Sequence, residues 1–260
     1  MKKIISWNVN GIRAVEKKGF CQWVKDTSPD VLCIQETKAR KEQLENSLIN
    51  IPQTNDSEKT YFSYFASAKR AGYSGVAIYS KEEPISVKNM DISEFDDEGR
   101  VLIAEYKDFS VICAYFPNSQ DEGKRLPYKL AFCEAMKTLC SDIKIVNKNF
   151  VLCVDYYVAH KPIDLKNPNS NEKNPGYLPE ERAWMDSFLQ DDNVDTFREF
   201  CKDKDMYTWW SYRFNAREKN IGWRIDYHCV NKSFLPKVKS STIMSSVMGS
   251  DHCPICLEIC

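Results

Sequence analysis

NFVLCVDYYVAH, residues 149 to 160, reads as a buried strand that ends in chemistry. Phe150, Val151, Leu152, Cys153 and Val154 form a short apolar run, and at its carboxyl end Asp155 and His160 bracket two tyrosines. In open α/β sheets ligands gather at the carboxyl ends of strands, which makes such a carboxylate a site candidate. Strands also commonly close on an Asp that only opens a surface loop. Asp155 alone divides evenly between the two readings, and the other strand ends have to decide.

Upstream, Leu126, Leu130, Cys133, Met136, Leu139, Cys140 and Ile143 predict a long amphipathic helix leading into this strand. The same order opens the chain. Residues 3 to 9 alternate as a strand, and Ile12, Val15, Phe20, Trp23 and Val24 follow at roughly helical spacing between Gly11 and Thr27. Val31 to Ile34 then forms a short strand that ends in Gln35 and Glu36, before a helix near Lys41 to Ile49. Between the halves lie consecutive strands, YFSYFASA (61–68), SGVAIYS (74–80), VLIAEY (101–106) and SVICAYF (110–116), an antiparallel pattern. Residues 168 to 179 form a polar loop, and Pro179 with Glu180 and Glu181 opens a helix to about Leu189. Strands return with YTWWSYR (207–213), WRIDYHCV (223–230) and CPICLEI (253–259). Two strand-helix halves with antiparallel insertions predict an α/β four-layer sandwich, with two mixed β-sheets face to face and helices outside, as one domain over residues 1–260.

The composition, 43% hydrophobic and 28% charged, is that of a globular chain able to bury a sizeable core. No apolar run reaches membrane-spanning length, and Ser6 and Asn8 interrupt the N-terminal stretch too early for a signal peptide, so an intracellular protein with no membrane partner is expected. The 11 cysteines lie mostly inside apolar runs, as buried thiols do. A net charge of −1 excludes a broad basic surface, so any polyanion must be held by local basic loops or through a metal.

Strand ends and adjacent turns supply Asn8, Asn10, Glu36, Tyr115, Asn118, Asp155, His160, Asp226, Asp251 and His252. Their carboxylates suit Mg²⁺, a hard ion that takes oxygen ligands. His252 is open to three readings: general base, phosphate donor or core histidine.

SWNVNGIRA (6–14), IQETK (34–38), GYSGVA (72–77), AYFPN (114–118), VAHKPID (158–164), NAREKNIGWRIDY (215–227) and GSDHCPI (249–255) resemble, in order and over nearly the whole chain, the motifs of the exonuclease III family of apurinic/apyrimidinic endonucleases. The resemblance implies a DNase I-like endonuclease/exonuclease/phosphatase fold. It also implies hydrolysis, dependent on Mg²⁺ or Mn²⁺, of the phosphodiester 5′ to an abasic sugar, with 3′-phosphodiesterase or 3′-to-5′ exonuclease activity. The partner would be double-stranded DNA carrying abasic sites or 3′ blocks, met by a cytoplasmic, nucleoid-associated monomer. By the same resemblance Glu36, with Asn8, Asn10 and Asp251, would hold metal. Asp155, His252, Tyr115, Asp226 and Asn118 would be catalytic, and Trp209, Trp223 and Ile225 would receive a flipped sugar. Arg70, Tyr73, Arg100, Lys161, Asn171, Asn174 and Arg217 would track the DNA backbone.

The family's central strand ends in Gly-Asp-x-Asn, where this chain has Val154, Asp155, Tyr156 and Tyr157. A phenol offers one O–H, carried beyond the reach of the carboxamide it replaces. Loss of one preorganised donor costs roughly 10²- to 10³-fold in rate, and Val154 adds a branched side chain where the family has none, with overpacking of about 1–3 kcal/mol expected. The primary reading is thus a nuclease with weakened activity. A catalytically inactive abasic-DNA-binding protein is the alternative, and a phosphoinositide or sphingolipid hydrolase fits the pocket aromatics less well.

Overall fold

The computed structural model describes residues 1–54, 56–146 and 148–260. Its core is two six-stranded sheets. The first runs, in spatial order, Val238–Ile243, Ile255–Ile259, Lys2–Asn8, Val31–Gln35, Val76–Ser80 and Phe62–Ala66. The second runs Asn193–Asp195, Asp226–Asn231, Asn149–Asp155, Phe109–Tyr115, Val101–Glu105 and Ser86–Lys88. Each sheet carries one parallel pair at its centre, Lys2–Asn8 with Val31–Gln35 and Phe109–Tyr115 with Asn149–Asp155, while every other pairing is antiparallel. Parallel neighbours need a crossover, and helices supply it: Ile12–Glu16 with Phe20–Thr27 in one half, Leu126–Ile145 in the other. The four-layer sandwich expected from the sequence is the observed architecture.

Pleat alternation sorts the central residues. Val151 and Cys153 join Ile4, Cys33, Val76, Ile78 and Leu257 in the apolar layer between the sheets. Phe150, Leu152 and Val154 face the other way, packing with Phe132, Met136, Trp184 and Phe188. Asp155 follows the inward set, which is why the strand delivers it to the space between the two sheets.

The helices differ from the sequence expectation in register and length. The segment from Gly11 to Thr27 breaks into two helices at Gly19, which takes φ 90°. The region near Lys41 to Ile49 is a 3₁₀ turn and a four-residue helix. In the helix Leu126–Ile145 the buried set is Lys129, Phe132, Cys133, Met136 and Cys140, so Leu130 and Leu139 sit at the margin and a lysine lies in the apolar stripe. Three strands of the two large sheets, Ser86–Lys88, Asn193–Asp195 and Val238–Ile243, went unforeseen; all three are edge strands with mixed polar composition. Among the described residues no helix is long and apolar enough to cross a membrane.

Candidate active site

Register brings the predicted residues to one rim. Asn8 pairs with Gln35, so Glu36 follows directly beside it. Asp155 pairs with Tyr115 on one side and Asp226 on the other. Asp251 and His252 enter on the turn before the antiparallel strand Ile255–Ile259. The sheets are then joined at this rim by a hydrogen bond from Asn8 Nδ2 to Asp155 Oδ2 (2.8 Å).

His252 is the centre of the charge distribution. Its Nδ1 lies 2.9 Å from Asp226 Oδ2 and its Nε2 lies 4.0 Å from Asp155 Oδ2. Burial disfavours the imidazolium, but Asp226, Asp155 and Asp251 outweigh it and raise its pKa to about 10. Burial and the nearby Asp226 push the Asp155 carboxyl up to about 7, against the opposing pull of His252, Asn8 and the Tyr157 N–H. An acid and a base of shifted strength thus share one buried spot, an arrangement suited to proton transfer. Tyr115 completes this wall, its phenol pushed well above the ordinary range by burial, Glu36 and Asp155.

The expected metal donors form a linked chain. Asn10 N–H donates to Asn8 Oδ1 (2.9 Å), and Asn10 Nδ2 donates to Asp251 Oδ1 (3.0 Å). Lys38 ties the other end, with Nζ 3.0 Å from Glu36 and donating to Asn10 Oδ1. The Lys38 ammonium therefore sits among hard oxygen donors as a cation would, and the donor set fits Mg²⁺ or Mn²⁺. The tight carboxylate-histidine cluster is a different one: Asp155, Asp226 and His252 offer ligand atoms within 4.8 Å of one another, and Asp226 Oδ1 there has no partner.

Beside His252, Trp209 meets Trp223 edge to face at 6.3 Å between centroids, and its Nε1 donates to Asp251 Oδ2 (3.0 Å). Trp209, Trp223 and Ile225 line a cavity of ≈ 100 Å³ together with Asn174, Pro175 and Tyr157. Tyr157 is thus a wall of this cavity. Its phenol is pushed up by burial and, less, by the charges of Asp155, Glu36 and Asp251. Its backbone takes φ 53°, a left-handed conformation that Asn tolerates and a bulky residue does not favour.

Several expected residues lie elsewhere or act otherwise. Arg100, expected on the DNA backbone, is 1% exposed; it pairs with Glu98, donates to Tyr115 O (2.8 Å) and stacks on the Tyr115 ring. Arg217, half-buried, donates to the carbonyls of Ser245, Val247 and Ser250 and holds that loop. Lys161 is exposed but pairs with Asp186, which also binds His160 Nε2 (2.8 Å), so His160 belongs to that flank and not to the site. Arg70 and Asn174 are exposed, Tyr73 and Asn171 half-buried, and Asn118 Oδ1 accepts the Gln120 N–H. Val154 is buried on the helix-facing side, in the layer with Phe132, Trp184 and Phe188, so any overpacking from its branched side chain falls on that layer. Sequence reading missed Arg125, which joins Tyr73 and Glu98, and Lys129. Lys129 did leave a signal, since it stands four residues before Cys133 on the helix's apolar stripe.

Carboxylates and a histidine meet at the joined ends of two sheets, and the chain belongs to the Endonuclease/Exonuclease/phosphatase family, whose pattern spans residues 5–252. Within it, the chain is 41% identical over 260 residues to an exodeoxyribonuclease of Bacillus subtilis, covering 99% of each. It is 42% identical over 257 residues to the DNA repair nuclease APEX1 of Danio rerio, covering 98% of this chain and 81% of that one. An AP endonuclease from Archaeoglobus fulgidus superposes with a TM-score of 0.85 at 27% identity, covering 100% of this chain and 99% of that one.

Proposed function

We propose that the protein is a Mg²⁺-dependent DNA-repair phosphodiesterase that acts on duplex DNA 5′ to abasic sites, with rate limited by Tyr157. The observation that carries this reading is the placement of Asp155, held by Asn8 and facing the His252–Asp226 pair, next to an apolar cavity walled by Trp209, Trp223 and Ile225. Glu36, Asn8, Asn10 and Asp251 would hold the ion, which when bound polarises the scissile phosphate. Asp155 takes the proton of the attacking water. His252, kept protonated by Asp226, donates to a phosphoryl oxygen, a hydrogen bond that strengthens as charge develops there. The aromatic cavity excludes water and receives an extruded sugar that lacks a base. The names of the relatives support DNA as the substrate.

One observation favours a second reading. The Tyr157 ring lines the sugar cavity where the family has a small amide, which suits a protein that binds abasic DNA without turnover. Nicking of a duplex carrying one abasic site, with Mg²⁺ and beside binding to the same duplex, separates the two. Binding with strong preference for abasic over intact duplex, a clear salt dependence and slow nicking is expected. Equal affinity for both duplexes at moderate salt overturns the assignment of the cavity.

A further inference from the structure

Behind the site, on the far side of its loops, lies an ion pair with both members fully buried. Lys129 Nζ and Glu181 Oε1 are 2.8 Å apart, and both side chains are 0% exposed. A buried pair of this kind adds little net stability over an apolar pair of similar shape, so its other contacts indicate what it is for. Glu181 Oε1 also accepts Ser119 Oγ (2.8 Å). Glu181 Oε2 accepts the N–H groups of Gly176 (2.8 Å) and Leu178 (3.0 Å). Lys129 Nζ donates in turn to the carbonyl of Tyr157 (3.0 Å) and lies 5.6 Å from that residue's ring.

One carboxylate and one ammonium therefore tie together three separate loops. The Ser119 loop carries Asn118, the Tyr157 turn follows Asp155, and the segment before Gly176 carries Asn174 and Pro175 of the cavity wall. We propose that Glu181 is a positioning residue for this site, setting the cavity wall and the Asn118 loop in a common register through Lys129. The proposal rests on the DNA-repair reading above, because the register it sets is that of the abasic-sugar cavity. Helix capping accounts for only half of the contacts: Gly176 and Leu178 immediately precede the helix Pro179–Gln190, but Ser119 and Lys129 belong to other elements.

The two oxygens divide these roles, and Glu181→Gln separates them. With its carbonyl at the Oε2 position the amide keeps the cap, while its NH₂ faces the Lys129 ammonium and can no longer accept from it. Native-state hydrogen exchange and binding to abasic and intact duplexes are measured on the full chain and on this variant. Exchange at residues 117–120, 156–159 and 174–178 is expected to rise together while the central strands keep their protection. The abasic-to-intact affinity ratio is expected to fall roughly tenfold or more, as displacement of site groups by a distant change does. Ser119→Ala leaves the ion pair and cap intact and is expected to release residues 117–120 alone. The proposal is overturned if exchange in Glu181→Gln rises only at 176–178, if melting falls while the affinity ratio stays parental, or if Ser119→Ala leaves 117–120 unchanged. A parent without preference for abasic DNA overturns the functional reading instead, and the joint exchange of the three loops still decides the clamp.

Discussion

Asn8 reaches from the end of one sheet to the Asp155 carboxylate at the end of the other, donating from Nδ2 to Oδ2 at 2.8 Å. The same side chain receives the Asn10 N–H, so it fixes Asp155 and the turn bearing the proposed metal donors at once. Asn8→Ala leaves the Asp155 oxygen buried with no donor from the facing sheet, a change that costs about 1–3 kcal/mol. Urea denaturation is expected to show that loss, and single-turnover nicking a decrease of roughly 10²-fold. Stability lowered with nicking unchanged would make Asn8 a structural bridge only.

Glu36 is the half-buried end of the donor chain, paired with Lys38 at 3.0 Å. Glu36→Gln removes the charge and leaves the Lys38 ammonium without a counter-ion. Calorimetry is expected to show Mg²⁺ affinity falling by at least the 10- to 100-fold typical of lost outer partners. Unchanged affinity would remove Glu36 from the metal centre and transfer attention to the Asp155, Asp226 and His252 cluster.

Much of this arrangement was legible because two periodicities compete little here. The alternation in residues 3 to 9 and the apolar run ending at Asp155 mark strands, and the carboxylates at their ends mark the site, because strand ends in such sheets converge. The side chains' partners were not legible. Arg100 and Lys161 have the same sign and similar surroundings in sequence, yet one is buried under Tyr115 and the other sits on the surface beside Asp186. Only the fold brings Tyr115 to the first and Asp186 to the second. Val154 packs away from Asp155 because adjacent strand residues face opposite sides, so its branched side chain acts on the layer beneath the helices.

His228 gives the fold a pH limit. It is fully buried on the strand Asp226–Asn231, neither ring nitrogen has a partner, and burial lowers its pKa to about 3. The folded protein therefore keeps it neutral, whereas the unfolded chain protonates it near the ordinary value of 6.5. Protons bound preferentially to the unfolded state destabilise the fold, so stability is fully present above about 6.5 and declines as pH falls toward about 3. Between pH 7 and 4.5 the loss is expected to be on the order of 2–3 kcal/mol. Denaturant unfolding of the parent and of His228→Leu at both pH values checks this: the difference between the two proteins should grow on acidification, and a constant difference would rule out titration of His228.

On the proposed function Tyr157 limits the rate, for two reasons that act together. Its side chain walls the cavity two residues from Asp155, and its φ of 53° is a conformation that a tyrosine adopts only with strain. Asn accepts this backbone and restores an amide of the right length, so Tyr157→Asn should raise abasic-site nicking by roughly 10²-fold or more. It should also stabilise the fold by about 1 kcal/mol through relief of the backbone, since left-handed geometry costs a bulky residue about that much. Abasic-DNA binding should change less, because Trp209, Trp223 and Ile225 stay in place. Val154→Gly added to this variant should bring no further activity, since Val154 is buried on the helix-facing side among Trp184, Phe188 and Tyr156. It should instead lower stability by about 2 kcal/mol or more, through a cavity and a strand glycine. Single-turnover nicking and denaturation of the parent, the single and the double variant give all of these quantities. A parent already as fast as Tyr157→Asn would show that the ring does not obstruct the site, and a double variant faster than the single one would return Val154 to the account of the lost rate.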